Sequence, residues 1–141
     1  MMKEENQVLQ KSKAFAVRII RLSQHLTEEK KEKVLSRQVL RSGTSIGANV
    51  KEAVRGQSTA DFLSKMQIAL KEASETEYWL ELLAETEYLS EKAADSVLND
   101  CRELIRLITS IVRSTKENNQ LSLYEESSQG ETTFQIMNYE L

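Results

Sequence analysis

Proline is missing from all 141 residues, and glycine occurs only four times. Without proline, a long helix meets no hard breaker, because only that ring both removes a backbone donor and clashes with the preceding turn. A single cysteine, Cys101, excludes an internal disulfide framework. It falls in an apolar helical stripe and reads as a small core residue. Aromatic residues make up 6% of the chain, so a core must be assembled mainly from Leu, Ile, Val and Ala. No apolar run approaches the ~18 residues that cross a bilayer. The opening residues, M-M-K-E-E-N-Q, lack the apolar segment of a secretion signal. A cytoplasmic protein with no membrane partner is expected.

Catalytic groups are equally scarce. The one histidine, His25, cannot supply the paired Glu-x-x-His motifs of a di-iron bundle. It reads as a solvated residue near a helix end. Cys101 has no second histidine to recruit, and the hydroxyls of residues 42–45 have no base beside them. No glycine-rich phosphate loop with a following lysine occurs. The chain is therefore expected not to be an enzyme. No metal, no cofactor and no small-molecule substrate is predicted.

What is present is helical periodicity and charge. Hydrophobic residues make up 40% and charged residues 29%, a globular balance. Residues 1–56 carry twelve Lys and Arg against six acids, residues 57–117 seven against twelve, and residues 118–141 four acids and no base. The first half is thus basic and the second acidic. That asymmetry favours pairing between the halves, and it also suits one basic face turned to a polyanion.

Four segments show apolar residues stepping by four and three, the spacing of a helix seam. The first spans roughly residues 4–24, with Val8, Ser12, Phe15, Ile19, Leu22 and Leu26 on the seam. Thr27 before two acids reads as the cap of the second, which runs to about residue 55 through Leu35, Val39, Ser42, Ile46, Asn49 and Ala53. Gly43 and Gly47 each cost about 1 kcal/mol there relative to Ala. Close approach of a neighbouring helix is the expected compensation, with a break in the helix as the alternative. Gly56 to Thr59 reads as a stop followed by a new cap. The third segment covers about residues 60–86 and the fourth about 91–116, with Ser90 as cap. The fourth has the clearest amphipathic pattern.

The expected fold is all-α: an antiparallel up-down-up-down four-helix bundle over residues 1–117, followed by a polar, non-helical C-terminal tail over residues 118–141. The tail reads either as a disordered acidic chain or as a docking arm.

Three constellations stand out as candidate sites. Arg37, Arg41, Ser45 and Asn49 on the second helix face Glu72, Glu75 and Glu77 on the third, as an inter-helix polar network. Lys11, Arg18 and Arg21 share a face of the first helix, and Arg102, Arg106 and Arg113 one of the fourth, as candidate nucleic-acid contacts; no aromatic residues interleave to make a stacking platform. Tyr78, Trp79 and Leu82 form the candidate oligomer contact.

Residues 41–53 (R-S-G-T-S-I-G-A-N-V-K-E-A), residues 61–65 (D-F-L-S-K) and residues 69–83 (A-L-K-E-A-S-E-T-E-Y-W-L-E-L-L) resemble the four-helix-bundle family of 23S ribosomal RNA intervening-sequence proteins. The resemblance covers roughly residues 10–115. It implies an antiparallel bundle that assembles into a homopentamer, encoded in bacterial genomes within ribosomal RNA insertions or elsewhere. A related branch, the accessory variability proteins of diversity-generating retroelements, is a basic pentamer that binds nucleic acid and a reverse transcriptase. The expected function is a non-enzymatic oligomeric bundle with RNA or a ribonucleoprotein as partner. The alternative is a self-assembling structural protein with no nucleic-acid affinity.

Overall fold

The computed structural model describes residues 3–128, which form four helices: α1 (Lys3–Glu28), α2 (Val34–Val54), α3 (Thr59–Glu85) and α4 (Glu91–Ser128). Each packs on its neighbour in sequence, and α1 also packs on α4, so the helices close into the expected up-down-up-down bundle. The connections are short enough that consecutive helices must run antiparallel.

The seam residues are inside. Val8, Phe15, Ile19 and Leu26 from α1 meet Val39, Ile46 and Val50 from α2, Met66, Leu80 and Leu83 from α3, and Leu104 and Ile108 from α4. Burying each such side chain contributes roughly 1.5–3 kcal/mol. On α2 the stripe turns by one residue near its end, so Val50 is buried where Asn49 was expected.

The glycines of α2 mark its approach to α1. A Cβ on Gly43 would lie 2.8 Å and 2.9 Å from the two γ carbons of Ile19. A Cβ on Gly47 would stand 3.2 Å from the backbone oxygen of Ser12. The helix runs unbroken through both. Close packing, not a hinge, is what offsets their poor helix propensity.

The helix ends show which local signals prevail. Ser58 accepts a hydrogen bond from Asp61 N at 3.1 Å, and Ser90 one from Ala93 N at 3.2 Å, so both expected caps form. The start of α2 differs. Thr27 lies inside α1, and α2 begins at Val34 with no side-chain bond at the cap position itself. Glu32 takes over, accepting from Ser36 N at 2.8 Å. Lys31 turns the chain with φ 58°. The turn after α3 uses Glu87 at φ 65°. There Glu87 N donates to Ala84 O and Tyr88 N to Leu83 O, the paired bonds of a Schellman close.

The tail boundary also moves. Residues 118–128 continue α4, which reaches 38 residues, about 57 Å. Once a helix is nucleated, each further residue adds a bond at little cost, and no glycine or proline intervenes before Gly130. Residues 129–141 lie outside the described residues. Among the described residues, no helix is long and apolar enough to cross a membrane.

Gly43→Ala should destabilise the bundle by about 1–3 kcal/mol in urea denaturation, despite alanine's better propensity. Adding Ile19→Ala should cancel most of the increment that the methyl introduces. A Gly43→Ala protein as stable as the parent would mean that the two helices can part without cost.

Candidate functional site

The residues singled out from sequence sort into two kinds: those spent on holding helices together and those left open. The inter-helix network of α2 and α3 forms only in part. Arg41 reaches across to Glu72 at 3.3 Å and to Glu75. Glu75 also accepts from Trp79 Nε1 at 3.0 Å, so the indole is tied into the same group. The other members go elsewhere. Ser45 donates to Arg41 O and Asn49 to Ser45 O, both within their own helix. Glu77 points to α4 and accepts from Arg102 Nε at 2.9 Å. Arg37 has no ion-pair partner among the described residues. Because the Arg41 side chain is 51% exposed, water screens the cluster, and it belongs to the class of pairs that contribute about 1 kcal/mol or less.

The buried polar contacts are hydroxyls. Thr76 Oγ1, fully buried on α3, lies 2.9 Å from Ser42 Oγ on α2 and 2.7 Å from the Glu72 carbonyl. Between α1 and α2, Ser23 Oγ lies 2.7 Å from Ser36 Oγ, which also lies 3.1 Å from Thr27 Oγ1. Among the described residues, no buried side-chain nitrogen or oxygen lacks a partner. Charges cannot take these places, since an ion costs several kcal/mol to desolvate, whereas a hydroxyl needs only one neighbour. Ser42 on the seam of α2 was the sequence signal for this layer. Its partner Thr76 lies on the third segment.

The bases of α1 and α4 divide in half. Lys11 pairs with Glu103. Arg18 pairs with Asp100 at 2.6 Å and donates to Ser96 at 2.8 Å. Arg102 joins Glu77 and, at 3.6 Å, Glu81. These three clamp α1 to α4 and α3 to α4. Arg21, Arg106 and Arg113 are exposed, with no ion-pair partner among the described residues.

The aromatic pair sits on the outer face of α3. Tyr78 is 53% exposed, and its ring meets Trp79 edge-on with centroids 5.2 Å apart. Trp79 is half-buried against the core, and Leu82 is half-buried too. Other large exposed hydrophobics include Val17 and Ile20 on α1 and Ile68 on α3.

Cys101 is buried on α4, its Sγ 3.4 Å from the Ala73 carbonyl. Burial pushes the thiol up to about 12, Glu77 adds to the rise, Arg102 opposes it, and Glu81 adds a little more. It is held as a neutral thiol, the opposite of an activated nucleophile. Among the described residues, no cluster of three or more His, Cys, Asp or Glu is placed to hold a metal ion.

Comparison with known proteins converges on one description. The model of the family "23S rRNA-intervening sequence protein" matches residues 4–110. Among solved structures, a protein of unknown function from the S23 ribosomal protein family of Bacteroides thetaiotaomicron VPI-5482 is 55% identical. The match covers 78% of this chain and 98% of that one, with a TM-score of 0.77. None of the curated proteins matches the chain.

Thr76→Val should cost about 1–3 kcal/mol by stranding the Ser42 hydroxyl in an apolar seam, and pairing it with Ser42→Ala should restore much of that loss. Arg41→Ala should cost about 1 kcal/mol or less. Thermal melts that rank Arg41→Ala as the worse lesion would overturn this ordering. The raised thiol has its own signature. The folded state keeps the Cys101 proton that the unfolded chain releases near pH 9, so stability falls as pH rises from about 9 towards 12. Cys101→Ala should flatten that fall, and native Cys101 should resist alkylation at pH 8 until urea opens the bundle.

Proposed function

The chain belongs to the 23S rRNA-intervening sequence protein family, and from that premise we propose that it is a non-enzymatic, self-associating helical scaffold that contacts RNA or a ribonucleoprotein through the bases its own acids leave free. One observation carries the reading: Arg106 and Arg113 stand seven residues apart on the exposed face of α4, without an ion-pair partner among the described residues, while Arg102 on the same helix is consumed by Glu77 and Glu81. Two turns of helix place the free pair about 10 Å apart along one line. Unpaired guanidinium groups on a rigid helix suit phosphate contacts, which need clustered positive charge and no base-reading geometry.

Self-association is supported by where the exposed apolar groups lie. Val17 and Ile20 are on α1, and Tyr78 is on α3. These helices are diagonal in the bundle, so the two patches face opposite ways. A contact of one patch with the other is head-to-tail, and such contacts build rings where the rotation closes and open filaments where it does not, rather than two-fold dimers. A cytoplasmic, bacterial homo-oligomer, a pentamer by resemblance, fits this arrangement. The second reading, self-assembly with no nucleic-acid affinity, is favoured by the acids that neutralise Lys11, Arg18 and Arg102.

Salt separates the two. Binding to 23S ribosomal RNA fragments should weaken steeply between about 50 and 200 mM salt. Arg106→Gln with Arg113→Gln should lower the salt slope by about two and leave the melting temperature unchanged. Arg102→Gln should do the reverse, lowering stability more than affinity. No binding at the lower salt concentration leaves self-assembly as the function.

A further inference from the structure

At the opposite end of the α1–α4 seam from Arg113, the two helices part around a cleft of about 620 Å³. Its walls come from the last turns of α1, the turn before α2, and the start of α4 with the turn that precedes it. The size lies within the range of small-molecule sites, about 300–1,000 Å³. We propose that this cleft binds a nucleoside monophosphate unit, either free or as the phosphorylated end of an RNA strand.

Charge argues for the phosphate. Arg21, His25 and Lys30 line the cleft, and none has an ion-pair partner among the described residues. Arg18 also lines it but is held by Asp100 and Ser96. Glu87 is the one acid on the wall. Two permanent cations and an imidazole therefore face a single carboxylate across the cleft. Arg21 offers a planar fork that matches two phosphate oxygens, and Lys30 a mobile point charge. At the start of α4 the Ser90 hydroxyl already takes Ala93 N, so the lining side chains carry the charge argument for the anion.

The remaining wall argues for a base attached to that phosphate. Leu22, Leu89 and Val97 line the cleft together with Tyr88, whose ring is half-buried. An aromatic face beside aliphatic groups accepts any nucleobase by stacking, worth about 1–3 kcal/mol per base where it has been measured. A bare inorganic anion makes no use of that surface. The other end of the bundle provides a contrast within the same molecule. There a cleft of about 710 Å³ is lined by Glu4, Glu5 and neutral side chains, with no base among them. Similar room is present, but not the chemistry for an anion.

This site goes beyond the RNA contact proposed for α4 and is separate from it. Arg18 stands opposite Ser96 and Asp100, so Arg113 lies about 20 Å further along α4.

Calorimetric titration of the full chain tests the proposal with UMP, AMP, uridine, inorganic phosphate, and an RNA tetramer with and without a 5′ phosphate. Saturable binding of UMP or AMP is expected, about tenfold or more tighter than uridine or phosphate alone. Arg21→Gln with Lys30→Gln should weaken it about tenfold or more. Tyr88→Leu should weaken nucleotide binding and leave phosphate binding unchanged. Arg106→Gln with Arg113→Gln should not alter it, which keeps failure of the RNA face distinguishable from failure of this site. Preference for the phosphorylated tetramer over UMP and AMP supports the RNA end as occupant, and the reverse supports a free nucleotide. No saturation at about 5 mM nucleotide, equal affinity for phosphate and nucleotide, or binding indifferent to the Arg21 and Lys30 changes would overturn the proposal. Circular dichroism of each variant confirms that the replacements leave the helices intact.

Discussion

Helix α2 lies so close to α1 that no side chain fits between Gly43 and Ile19. Much else in the bundle follows from that closeness. Helix α2 carries Ser36, Ser42, Gly43 and Gly47 on its inner side among Val39, Ile46, Val50 and Ala53. It is retained because its backbone comes near enough for dispersion contacts along its length and for hydroxyls to meet hydroxyls directly. The Ser23–Ser36 contact on one side of α2 and the Ser42–Thr76 contact on the other are short because the helices are near. Larger residues would widen the spacing and leave those groups with neither water nor a partner. The same pairs fix the axial register of α2 against both neighbours, which greasy contacts alone specify less sharply.

Charge is arranged on top of that frame. The basic first half and the acidic second half meet across the outer seams, α1 with α4 and α2 with α3. Each exposed pair contributes little alone. The pairing also decides which bases remain. Those in the middle of the α1–α4 seam are neutralised, and those towards its ends are not.

The fold was readable because four-three spacing in a chain without proline admits few other outcomes, and the Ser58 and Ser90 caps announced two helix starts. The start of α2 was not, because Thr27 followed by acids imitates a cap while Glu32, five residues on, performs it. The polar network was legible in kind more than in membership. Arg41 and its two acids were on the right faces. Glu77 belonged to another interface, since two residues along a helix from Glu75 turn a side chain by about 200°, a rotation that spacing alone leaves unanchored. The cleft was invisible in sequence. Arg21 and His25 lie on one helix and Lys30 in the turn after it, and their convergence with Tyr88 exists only once α4 returns alongside α1.

Helix α4 outruns its companions. Beyond residue 117 it rises past the turn between α2 and α3 and carries Leu121 and Tyr124 into solvent, 58% and 59% exposed. Eleven residues would hardly stay helical as a free peptide; here the bundle acts as the seed from which they grow. Such a cantilever is the first part of the molecule to unwind on warming, and it is the part whose order any binding event there would raise most. Its amide protons would therefore report an arriving partner before the core shows any change.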